Sequence, residues 1–180
     1  MTRFSDPIAL TSRQFELAVK GILDAAAVGL VSYESKHLET FSASDGDYEI
    51  DVTARFQALG ADFVVLVECK NHKRKIERED VQILQARVLS VGAHKGMLFS
   101  TAGFQSGAIK YAQEHGIALA HLVDGKSTWC TKGAGDPAPL PLGVDIPEFV
   151  AWWCHGDSMS VMSEDRGEFT RAALGLSSEP

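Results

Sequence analysis

Five consecutive apolar residues, Phe63-Val64-Val65-Leu66-Val67, run without a break into Glu68-Cys69-Lys70. No other feature constrains the chain as much. Side chains alternate across a sheet, so a continuous apolar run rich in β-branched residues marks a strand covered on both faces. The flanking sequence offers the covering elements. Residues 11–27 read as a helix, opened by a capping box from Thr11 to Gln14, with Phe15, Val19, Ile22, Leu23 and Ala26 at helical spacing and Gly29 as a stop. Leu30 to about Ser42 reads as an edge-like strand, and Ser44-Asp45-Gly46-Asp47 as a turn. Tyr48 to Phe56 alternates, placing Tyr48, Ile50 and Val52 on one face and Glu49, Asp51 and Thr53 on the other.

Beyond the apolar strand, Val81, Leu84, Val88 and Val91 predict a helix over 78–92. A strand follows over 94–100, then a helix over 104–115 stopped by Gly116, and a strand over 117–123. This order predicts an α/β sandwich with a central mixed sheet, because β-α-β alternation requires parallel crossovers. The sequence divides into a main domain over 1–132, a Gly/Pro linker over 133–147 and a C-terminal appendage over 148–180. In the appendage a small element over 148–153 and a short helix over 164–174 are expected.

Charge is unevenly spread. The net charge is −7, but residues 133–180 hold eight acids (Asp136, Asp145, Glu148, Asp157, Glu164, Asp165, Glu168, Glu179) against Arg166 and Arg171, so residues 1–132 carry only −1. Within them Lys70, His72, Lys73, Arg74, Lys75 and Arg78 form a basic run suited to phosphates, or a plain solvated loop. The acidic tail is expected to shield that run or to recruit a protein partner. Three widely spaced cysteines, Cys69, Cys130 and Cys154, fit neither a disulfide framework nor a zinc pattern. With no apolar leader and no bilayer-length run, the expectation is a cytoplasmic protein without membrane contact. No Walker A loop or Gly-x-Gly-x-x-Gly follows a strand, so a nucleotide cofactor has no support.

An acid-x-Lys triplet occurs at Glu34-Ser35-Lys36, Glu68-Cys69-Lys70 and Asp124-Gly125-Lys126. Only the second closes the apolar strand, where Glu68 and Lys70 share a face and Cys69 points away. The preceding strand brings Asp51 alongside. Two carboxylates and an ammonium at the end of an apolar sheet call for a cation, and Mg²⁺ suits a few carboxylates plus waters and phosphate oxygens. The competing reading is an ordinary exposed ion pair.

Here the chain resembles the PD-(D/E)xK nuclease superfamily, and within it the Mrr-like restriction endonuclease domains. The resemblance spans about residues 11–125. It rests on Phe15-Glu16, Ile50-Asp51-Val52, Val67-Glu68-Cys69-Lys70, Lys95-Gly96-Met97-Leu98-Phe99-Ser100, Gly103-Phe104, Gly107-Ala108, Ala112 and Gly116-Ile117-Ala118-Leu119. Many Mrr-like domains carry Gln where Glu68 stands, and Ile50 replaces the proline of the superfamily's name. The resemblance implies a restriction-endonuclease-like three-layer sandwich that hydrolyses DNA with Mg²⁺ or Mn²⁺, in restriction or defence against foreign DNA. Asp51, Glu68 and the Cys69 backbone carbonyl would hold the metal, and Lys70 would orient the attacking water. Gln85, Glu16 and Lys95 are secondary candidates, each with a plain structural alternative. Two cuts on opposite strands favour a homodimer. The alternative function is a non-cutting module that binds nucleic acid or protein on a nuclease fold.

Overall fold

The computed structural model describes residues 10–27, 30–124, 148–155, 158–165 and 167–176. The expected linker over 133–147 lies outside the described residues. Helix α1 (Ser12–Ala25) opens as anticipated. The Thr11 hydroxyl accepts from the Gln14 N–H and the Gln14 side chain accepts from the Thr11 N–H, closing the capping box.

Strands β1 (Val31–Ala43), β2 (Gly46–Ala58) and β3 (Ala61–Lys70) form an antiparallel meander. Helix α2 (Arg78–Val91) then crosses over to β4 (Lys95–Ser100), and α3 (Ser106–Glu114) to β5 (Ala118–Asp124), both strands parallel to β3. Gly92, in the left-handed region at φ 70°, ends α2. The residues expected to form an appendage continue the sheet instead. Strands β6 (Phe149–His155) and β7 (Ser158–Ser163) add antiparallel to β5, giving one seven-stranded sheet in sequence order. Helix α4 (Glu168–Ala173) returns toward α1, where Arg171 donates to the Ala26 carbonyl.

Two apolar layers sandwich the sheet. On one side α1 packs Phe15, Val19, Ile22 and Leu23 against Val65, Val67, Met97 and Phe99. On the other, Val81, Leu84 and Val88 of α2 and Ala108 and Ala112 of α3 cover Leu66, Leu98 and Leu119. Strand β3 therefore sends Val65 and Val67 to one core and Leu66 to the other, as its unbroken apolar sequence requires. The α/β three-layer arrangement matches the sequence reading.

The β1–β2 hairpin departs from simple alternation. Tyr48 and Ile50 pack in the α2–α3 core, but Val52, Ala54 and Phe56 pack in the α1 core, although all have even numbers. On β1 the same exchange occurs. Ser35 and His37 meet side chains of α1, while Glu39 joins Thr53 and Arg55, and Arg55 lies over the Phe41 ring in the opposite core. Both strands change faces at the level of Leu38 and Asp51, and Leu38 has φ +55°. The expected grouping of Tyr48, Ile50 and Val52 on one face is thus split at Asp51. Irregularities of this kind re-aim a side chain out of the pleat.

Candidate active site

Asp51 occupies the point of exchange. The β2–β3 ladder is regular from Ala58↔Ala61 to Val52↔Val67, and Asp51 comes next, beside Glu68. Its Oδ2 accepts a hydrogen bond from the Cys69 N–H at 2.6 Å. A side-chain carboxylate thus takes the place that a backbone carbonyl would hold in a continued ladder. In an extended strand the N–H and C=O of one residue leave on the same side, so the Cys69 carbonyl lies on the edge that Asp51 faces. The other Asp51 oxygen has no hydrogen-bond partner among the described residues.

Glu68, only 7% exposed, follows Leu66 on the α2 side of the sheet. Its Oε1 receives Lys70 Nζ at 2.7 Å, and its Oε2 receives Arg87 from α2 at 2.5 Å. A buried carboxylate is tolerated only with such partners. Asp51 has a different balance. Burial, opposed by the Cys69 hydrogen bond and reinforced by the charges of Glu68 and Glu16, pushes its carboxyl from 3.8 up to about 6. Burial and the neighbouring carboxylates push the Cys69 thiol well above its ordinary range, which makes it an inert group here.

Of the secondary candidates, the structure brings Glu16 nearest. It projects from α1, its Oε2 lies 2.6 Å from His37 Nε2 of β1, and its charge is felt at Asp51. Gln85 makes no hydrogen bond among the described residues; the α2 residue that reaches Glu68 is Arg87. Lys95 lies elsewhere. It pairs with Val65 at the start of β4, whereas Glu68 pairs with Leu98, three residues further along, or about 10 Å. Its numbering parity with Met97 and Phe99 also puts it on the α1 side. Lys36 of the first acid-x-Lys triplet is an exposed partner of Glu34 and Glu39, and Lys126 of the third lies outside the described residues.

Sequence reasoning missed Arg87 and His37. The first had a weak signal: a charged residue adjoining Val88 on the apolar face of α2. The second had none, because its placement depends on the exchange at Leu38.

The basic run is held in place. Ile76 is buried and bridges to Phe104, with its N–H donating to the Gly103 carbonyl and its carbonyl accepting from Gln105. Arg74 pairs with Asp80, leaving Lys73 and Lys75 exposed without ion-pair partners among the described residues. No three His, Cys, Asp or Glu side chains form a ready-made metal cage among the described residues. The residues present do fit a hard cation of the Mg²⁺ type, which needs one or two carboxylates with the remaining positions left to water and phosphate. The Asp51 oxygen that has no partner among the described residues, held in negative surroundings, is the observation that fits.

Among known proteins, the sequence pattern of the restriction endonuclease family, of Mrr catalytic type, matches residues 9–127, about two thirds of the chain. No curated protein matches. A crystal structure titled as that of a protein of unknown function, AF1548, is similar at 24% identity and a TM-score of 0.49. That match covers 60% of this chain and 56% of the other, so the chain spans little more than half the length of that relative.

Proposed function

The chain belongs to the restriction endonuclease family, and we propose that it is a divalent-metal-dependent endonuclease that cuts DNA in restriction or defence against foreign DNA. Nucleases of this family generally use divalent ions and take DNA as substrate. One observation carries the assignment to residues: where the β2–β3 ladder ends, Asp51 is fixed against the Cys69 N–H, beside the Glu68–Lys70 pair.

In this reading Asp51 and Glu68 hold Mg²⁺ or Mn²⁺, joined by the Cys69 carbonyl. Bound there, the ion supplies positive charge at the scissile phosphate and acidifies water. Lys70 spends one ammonium N–H on Glu68 and keeps two for the attacking water and a non-bridging phosphate oxygen, where charge builds as the P–O bond breaks. Lys73 and Lys75 meet neighbouring phosphates from the anchored loop. A two-fold dimer, cutting both strands, completes the proposal.

A plasmid-nicking assay with Mg²⁺ or Mn²⁺ tests it. Wild-type protein should convert supercoiled plasmid to nicked and linear forms. Lys70→Ala and Asp51→Ala should each lose at least about 100-fold in rate, as expected for removing a group that stabilises charge in the transition state. Cutting at the wild-type rate by either variant sinks the assignment.

A second reading, a non-cutting binding module, draws on the two cations already seated on Glu68. It predicts plasmid binding with no cutting of modified or unmodified DNA.

A further inference from the structure

Arg87 lies outside the acid-x-Lys pattern, yet it makes the shorter of the two contacts to Glu68. It reaches from α2 on a side chain 27% exposed and meets Oε2 at 2.5 Å, on the opposite end of the carboxylate from Lys70. The two acids of the site are treated unequally. Glu68 has two cations of its own, whereas Asp51 has a neutral backbone N–H as its hydrogen-bond partner. Around Glu68, the charge a divalent ion would neutralise is already largely neutralised. An ion approaching the free protein therefore meets the positive guanidinium a carboxylate's width away.

We propose that Arg87 is a resident counter-ion of the nuclease site: it positions Glu68 in the free protein, competes with the divalent ion for that carboxylate, and gives way when a phosphodiester enters. The idea rests on the nuclease reading above. Arginine suits the exchange, since its planar fork pairs with a phosphate as readily as with a carboxylate. Arg87 is then a positioning residue that couples metal binding to substrate binding. Metal loads weakly on free protein, and DNA brings both an anion for the guanidinium and oxygen ligands for the ion.

The test is Mn²⁺ binding to the full chain without DNA, followed by calorimetry and by the loss of the free-ion paramagnetic resonance signal. Arg87→Gln should bind Mn²⁺ about tenfold tighter or more, the size expected from removing a like charge at this range even under water-like screening. Arg87→Met repeats the measurement with a side chain that packs along the helix. Arg87→Lys keeps the charge and should stay within about threefold of wild type. An added uncleavable phosphorothioate duplex should tighten Mn²⁺ binding to wild type much more than to Arg87→Gln. Equal or weaker Mn²⁺ binding by both neutral variants overturns the counter-ion role and leaves the nuclease reading standing. Absence of Mn²⁺ binding to every form, with duplex present, ends both.

Discussion

Replacing Asp51 by Asn should make the metal-free protein more stable while removing a carboxylate of the proposed metal site. The carboxyl rises from 3.8 to about 6 in the fold, mainly because burial disfavours its charge and because Glu68 and Glu16 add negative field. A shift of that size corresponds to about 3 kcal/mol of disfavoured ionisation, and solvent contact at a half-buried group reduces it to about 1–2 kcal/mol. Asn keeps an oxygen for the Cys69 N–H and removes the charge. The sign follows from proton counting. Between pH 4 and 6 the folded protein holds a proton on Asp51 that the unfolded chain has lost, so wild-type stability falls as pH rises through this window and the cost is complete above it. The advantage of Asp51→Asn should therefore be absent near pH 4, grow to pH 6 and stay level to pH 8. For a chain of this size the plateau is a rise in Tm of about 2–8 °C. Urea unfolding and thermal melts in chelator, from pH 4 to 8, measure it. A variant less stable than wild type at pH 8, or an advantage that does not depend on pH, refutes the electrostatic account of this site.

Two further substitutions probe the scaffold. Gly96 is buried in the α2–β4 seam, where an added Cβ would lie 2.7 Å from Ile117 Cδ1, 3.1 Å from Val88 Cγ2 and 3.3 Å from Leu84 Cγ; Gly96→Ala should cost about 1–3 kcal/mol by overpacking, read as a lower urea midpoint. Deleting residues 148–180 should lower Tm sharply and promote self-association, because it strips β6, β7 and α4 and bares the edge of β5; an unchanged melt would show that this region is a detachable appendage.

The central architecture was legible because it is written in local chemistry. The capping box set the start of α1, the apolar run set β3, and Gly116 ended α3. The convergence of Glu68 and Lys70 followed from the two-residue period of a strand. Three things were not legible. The face exchange at Leu38 and Asp51 uses a leucine with positive φ, a residue type that gives no warning of it. Arg87 reaches Glu68 through tertiary placement of α2, which no spacing encodes. Strands β6 and β7 escaped because their membership in the sheet depends on pairing with β5 across the Gly/Pro-rich stretch, which no local pattern encodes.

The exchange of faces in the β1–β2 hairpin also governs how accurately the Asp51 carboxylate is placed. A hairpin leaning on one core can slip by a residue at the expense of one set of contacts. Here a single step would expel Ile50 from the layer under α2 and Val52 from the layer under α1 at once. The two halves of the ribbon check each other's alignment, and the residue between them, Asp51, inherits a position that neither half can change alone.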